Sequence, residues 1–313
     1  MFKKVFLVLL ILYIVVTGAY FLIKAPSIKK YFSKEQEEPI KVLPAKKPLG
    51  ECPAFALGHI AGEDFRINTR VLSSSKLIPI DENDIMGWIS KNTCDRGGQK
   101  ALIYFNSHPV AIAEIKSFDY SKPLGEKSNE RPILYTVLKT IKRSTVTPTS
   151  GYIVAVFDYD QNNLDFYDKI ETEMSKADEE LIGGSCDTIY YEVVGKDASK
   201  TEIEYSAIKT DLDINGDKLI SVVALWTDPA LPKTVKYLSI FNIHKDEKKS
   251  GSKRYQLFPI DKIRNSNFSI SQIVDVDNDG YKETIIRKER GSNDTFTLYD
   301  YDVEKDTYIE KPL

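Results

Sequence analysis

Val274-Asp275-Val276-Asp277-Asn278-Asp279-Gly280-Tyr281-Lys282-Glu283 is the stretch on which the fold turns. Its carboxylates alternate at positions one, three and five, a glycine follows at six, and a glutamate stands at nine. Calcium takes about six to eight hard oxygens, and alternate carboxylates on a tightly curled loop face one centre, while the glycine allows the turn. An EF-hand needs a bidentate glutamate at its twelfth position and helices on both sides. Here the twelfth residue is Ile286, and Thr284 to Arg287 reads as a strand. The motif is therefore a strand–loop–strand unit and predicts a β fold.

A second copy stands at Asp211-Leu212-Asp213-Ile214-Asn215-Gly216-Asp217-Lys218-Leu219, followed by the strand-like run Ile220 to Trp226. Its ninth position is Leu219, so one acidic group is missing and only Asp217 could replace it in part; weaker binding is expected. A more degraded copy is Asp158-Tyr159-Asp160-Gln161-Asn162-Asn163-Leu164-Asp165. The three loops start 53 and 64 residues apart, a spacing that fits repeated β units.

Glutamate at position nine, leading straight into a strand, resembles the calcium loops of FG-GAP and VCBS repeats, where such a loop joins two strands of a β-propeller blade. The resemblance covers about residues 152–313. It implies ligation by Asp275, Asp277, Asp279 and Glu283 with the carbonyl of Tyr281, and a weaker site from Asp211, Asp213, Asn215 and Asp217. Calcium is the implied ion. The expected fold is mainly β, with propeller-like repeats over 151–313 that need not close, preceded by an α+β or irregular β part over 51–150.

Short runs rich in Val, Ile, Tyr and Phe, punctuated by turn residues, support this reading. They are Ala101 to Phe105, Val110 to Ile115, Tyr152 to Tyr159, Thr188 to Val194, Ile220 to Trp226, Val235 to Ile243, Thr284 to Arg287 and Thr295 to Tyr301. Two segments read as helices instead. Ile133, Leu134, Val137, Leu138 and Ile141 fall at helical spacing before Lys142-Arg143, and Ile170, Met174, Ala177 and Leu181 repeat the stripe until Gly183-Gly184 stops it. A short helix is also expected around Asp84 to Ser90.

The N-terminus carries nineteen uncharged, mostly aliphatic residues from Val5 to Ile23. As a helix this run is roughly 28 Å long, close to the roughly 30 Å of hydrocarbon in a bilayer. It is expected to be an uncleaved transmembrane anchor; a signal peptide cut near Thr17-Gly18-Ala19 is the alternative. Residues 1–4 would be a short cytoplasmic head. Residues 24–50, rich in Lys, Glu and Pro, would be a charged linker holding the rest in the extracytoplasmic space. Lys3 and Lys4 precede the run and Lys24, Lys29, Lys30 and Lys34 follow it, a count that alone favours the reverse orientation. A four-residue head before a long polar chain reads instead as a signal anchor with the C-terminus exported.

The formal net charge is −3, which leaves no basic field for nucleic acid. Three cysteines are too few for a disulfide scaffold. In an oxidising compartment Cys52 and Cys94 could join, leaving Cys186, and three free thiols are the alternative. His59, His108 and His244 are scattered and give no zinc motif, and no nucleophile elbow, phosphate loop or dinucleotide fingerprint is present. These observations point to a membrane-anchored extracytoplasmic calcium-binding module for protein or glycan interaction. The alternative is an envelope hydrolase with convergent carboxylates.

Overall fold

A computed structural model of the chain describes residues 40–41, 52–72, 80–121, 133–145, 149–157, 159, 174–196, 202–228, 230, 236–263, 267–290, 293–311 and 313. Its contacts divide the chain into two units, 1–40 and 41–313, and all but one of the described residues belong to the second. The expected anchor at 5–23, nearly all of the linker at 24–50 and the loop at 158–165, apart from Tyr159, lie outside the described residues. Among the described residues no helix is long and apolar enough to cross a membrane.

The fold is mainly β. After a two-residue strand β1 (Ile40–Lys41) come β2 (Phe55–Ala61), β3 (Asp64–Asn68), helix α1 (Ile85–Asn92), β4 (Lys100–Phe105), β5 (His108–Ser121), β6 (Ile133–Arg143) and β7 (Tyr152–Val156). Strands β2 to β7 pair antiparallel in the order β5-β4-β7-β2-β3-β6, and β6 returns to β5. The six strands thus close on themselves, which leaves this sheet no open edge. Irregularities in the β5–β6 register at Ile112/Ala113 and Ile115/Ser117 bend the long strand so that it can serve two neighbours. Phe65, Ile67, Ile103, Ile115, Leu138 and Ile153 fill the interior.

Cys52 and Cys94 are joined at one end of this barrel, with Cα atoms 5.7 Å apart, while Cys186 is free and buried. Beside the bridge the fully buried Asp95 accepts from Arg70 Nε at 2.7 Å and from Thr136. Arg70 also donates to the Pro53 carbonyl and to Gln99, so the buried ion pair has further hydrogen bonds, as such pairs require. Asp84 caps α1 by accepting from the Gly87 amide, at the short helix expected there.

The second half begins with helix α2 (Lys176–Val194). Two four-stranded antiparallel meanders follow in chain order: β8 (Ile203–Leu212), β9 (Asp217–Thr227), β10 (Lys236–Asp246) and β11 (Gly251–Ile263), then β12 (Asn267–Val274), β13 (Glu283–Arg290), β14 (Asn293–Asp302) and β15 (Thr307–Lys311). Alternate residues of β9 serve opposite faces, as strand geometry requires. Ile220, Val222, Ala224 and Trp226 pack under Ile182, Cys186, Ile189 and Tyr190 of α2. Leu219 and Val223, with Leu238 and Ile240 of β10, meet Ile270, Ile273, Ile286, Tyr299 and Tyr308 of the second meander. The outer face of that meander, through Val274, Val276, Ile285 and Leu298, rests on Val154 and Val156 of the barrel. Helix, meander, meander and barrel form successive layers.

Two local expectations are corrected. Residues 133–143 are a strand, not a helix. Leu134, Thr136 and Leu138 are buried at every second position, and the gap between β3 and β5 recruits the segment into the barrel. Thr188 to Val194, expected as a strand, is the last part of α2, which runs straight through Gly183-Gly184. Each glycine costs helix propensity of about 1 kcal/mol. The buried stripe Ile182, Cys186, Ile189 and Tyr190 outweighs it, and the reciprocal cap between Ser175 and Asp178 fixes the start.

Candidate metal centre

Both aspartate loops occupy the same place in their meanders, joining the first strand to the second. In the second meander Val274 pairs with Glu283 across the loop base. Asn278 and Gly280 take left-handed backbone, φ 61° and 91°, and curl the chain between them. Asp275 braces the curl: its Oδ1 accepts from the Asp279 amide at 3.1 Å and its Oδ2 from the Gly280 amide at 2.9 Å.

The carboxylates of Asp275, Asp277 and Glu283 converge, with one oxygen from each lying within 4.8 Å of the others. Glu283 is the deepest, at 1% exposure. Its Oε2 accepts from the Val276 amide at 2.7 Å, while Oε1 is buried with no hydrogen-bond partner among the described residues. Burial pushes the Glu283 carboxyl up to about 9, assisted by the charges of Asp277, Asp275 and Asp300. Burial likewise raises Asp275 and Asp277, and like charge from Asp279 adds to both. Such a set is strained as three free anions and relieved by a divalent cation. The donors are all oxygen, the chemistry that calcium prefers.

Of the five residues expected at this loop, the structure therefore brings together Asp275, Asp277 and Glu283. The exposed Asp279 is turned to the loop itself, its Oδ1 accepting from the Tyr281 amide at 2.8 Å. The Tyr281 ring packs against Tyr301, with centroids 5.3 Å apart.

In the first meander the loop is shorter. Asp213 Oδ1 accepts from the amides of Asn215 and Asp217 at 2.9 and 3.0 Å, and the Asp213 amide donates to the Asp217 carbonyl. Of the four residues expected here, Asp213 and Asp217 converge. Asn215 is exposed, its carbonyl accepting from Lys248 Nζ, and the side chain of Asp211 lies outside the described residues.

The third member of this cluster is His244, which no motif signalled. It lies 27 residues after Asp217 in the chain. Antiparallel pairing of β9 with β10 sets Asp246 opposite Asp217 and His244 opposite Leu219, which brings the ring to the loop. The hydrophobic runs of β9 and β10, read as a hairpin, were the only signal that could have found it. Its Nε2 meets the Tyr308 hydroxyl at 2.5 Å, and its Nδ1 faces Asp213 and Asp217. Burial lowers the His244 pKa, against the two aspartates, and favours the neutral ring.

Among the described residues two acidic clusters able to hold a metal ion are thus present, one at each loop. No family model matches this chain, and no curated protein or solved structure is found similar to it.

Proposed function

We propose that this chain is a calcium-binding β module, held at a membrane by residues 5–23 and displayed on the extracytoplasmic side to a protein or glycan partner. The observation that carries the calcium is Glu283 Oε1, a buried carboxylate oxygen without a partner, beside Asp275 and Asp277. Leaving a buried acceptor unpaired costs about 1–3 kcal/mol, and an ion at this point removes that cost.

The resemblance to FG-GAP and VCBS repeats draws support from the equivalent placement of the two loops, each between the first and second strands of a four-stranded meander. On this reading the two meanders are blade-like repeats. Export draws support from the Cys52–Cys94 bridge, because disulfides persist in oxidising compartments, and weak calcium sites fill where calcium is near millimolar. The exposed Leu212 and Ile214 flank Asp213 and support a partner contact at the loops.

The test is calcium titration by calorimetry on the full chain in detergent, with melting temperatures, beside Asp277→Ala. Asp277 is exposed at the loop tip, so its loss leaves the fold intact. Calcium should bind and stabilise the wild type at about 0.1–1 mM or below and leave the variant unchanged. Equal stabilisation of both, or none of either, rejects the reading.

A further inference from the structure

We propose that Asp213, Asp217 and His244 form a second metal site of a different class, one that takes a divalent first-row transition ion rather than calcium. One donor atom from each lies within 4.8 Å of the other two. Nδ1 of His244 stands 3.9 Å from Asp213 Oδ2 and 4.0 Å from Asp217 Oδ2. Those distances are too long for hydrogen bonds. Donors bound about 2.0–2.2 Å from one tetrahedral ion stand about 3.4 Å apart, so a side-chain shift of about 0.5 Å brings these atoms to one cation.

Two largely buried side chains point at the same gap. The Asp213 side chain is 2% exposed, and its two loop hydrogen bonds go to Oδ1, so Oδ2 has none. The His244 side chain is 10% exposed, and its hydrogen bond goes through Nε2, so Nδ1 has none. An imidazole nitrogen and a carboxylate oxygen on two largely buried side chains, neither hydrogen-bonded among the described residues, thus face each other. The Tyr308 hydroxyl holds Nε2, the outer-shell contact that orients a metal-bound histidine. Rings of Tyr255, Tyr301 and Tyr308, with centroids 5.2–5.7 Å away, fix the imidazole plane.

The donor set decides the ion. Calcium prefers an all-oxygen shell, whereas one imidazole with two carboxylates suits zinc, manganese, iron, cobalt or nickel. Three protein ligands leave coordination positions open. They face a cleft of about 320 Å³ whose lining includes Lys249, Lys253, Tyr255 and Tyr301. The site shares no ligand with the Glu283 cluster and stands whether or not that cluster binds calcium.

The experiment titrates Co2+ into the full chain in detergent, with several-millimolar calcium present, about the weak end of extracellular sites, and reads the visible absorption of the bound ion. One equivalent should bind, calcium should not displace it, and Zn2+ should. His244→Gln and Asp217→Asn should each weaken binding at least about 10- to 100-fold, and Tyr308→Phe by about 10-fold. Asp277→Ala should bind Co2+ like the wild type, which separates failure of this site from failure of the calcium loop. Absence of the band in the wild type, displacement by calcium, or undiminished binding by a folded His244→Gln would overturn the proposal.

Discussion

The Ile214 amide donates a hydrogen bond to the Gly280 carbonyl at 3.0 Å, so the two aspartate loops are joined through their main chains. Ile214 also lies across Gly280, where an added β-carbon would meet the Ile214 side chain at 2.7 Å, and Lys282 Nζ reaches the Thr210 hydroxyl at 2.7 Å. The two meanders are coupled at their loops as well as through the apolar layer between their sheets.

Gly280→Ala tests that coupling. At φ 91° any side chain is strained, and here it also strikes Ile214. The expected loss is about 1–3 kcal/mol in urea unfolding. The double variant with Ile214→Ala relieves the clash but not the backbone strain, so it should recover part of that loss. Complete recovery would mean that the left-handed backbone costs nothing.

Glu283 predicts how stability depends on pH. Its folded pKa, about 9, is raised above an ordinary value of 4.5, so the folded state holds its proton after the unfolded state has released it. Without metal, this contribution is full below pH 4.5 and is lost as pH rises to about 9. Glu283→Gln should flatten that decline in chemical denaturation and abolish calcium stabilisation. Calcium binding to the wild type near neutral pH should release a proton, visible as a dependence of the calorimetric heat on the ionisation enthalpy of the buffer.

Asp178 predicts the opposite limb. Burial alone would raise its carboxyl, but bonds from Ser175, Lys245 and Lys209 outweigh it and hold the group well below the ordinary carboxylate range. Its stabilisation is present above about pH 3.8, the ordinary value, and is lost as pH falls below it. Asp178→Asn should cost about 1–3 kcal/mol near neutrality and shrink the acid limb of the stability profile. An unchanged acid limb would show that the pairing with the two lysines contributes nothing.

What was legible in the sequence was local. Alternating aspartates, a glycine and a following strand announced both loops, because the aspartates of each loop lie within a few residues of each other. Residues 133–143 misled because Ile133, Leu134, Val137, Leu138 and Ile141 satisfy helical spacing, while barrel closure decides for the strand. Val193-Val194 and Tyr190-Tyr191 gave the end of α2 a strand-like composition that packing under the first meander overrode. His244 was hidden because pairing of β9 with β10 brings it to Asp217. The same holds for the buried polar cluster of Ser221, Asn242 and Thr284, where Ser221 donates to Asn242 Oδ1 at 2.6 Å and Asn242 donates to the Thr284 hydroxyl at 3.0 Å. Each of its members comes from a different strand, and no spacing rule links them.

The Cys52–Cys94 bridge closes a chain separation of 42 residues, for which loop-closure entropy gives about 4 kcal/mol, with about 2–4 kcal/mol typical. It ties the segment leading into β2 to the segment carrying Asp95, where the Cys94 amide donates to the Arg70 carbonyl at 2.8 Å. Because Val154 and Val156 of the barrel pack on Val274 and Val276 beside the second aspartate loop, barrel and meanders should unfold as one cooperative unit. Reductant should therefore lower the melting temperature by a similar amount with and without calcium, the two effects adding as distant contributions do. Two separate transitions, with reductant moving only one and calcium only the other, would show instead that barrel and meanders fold independently.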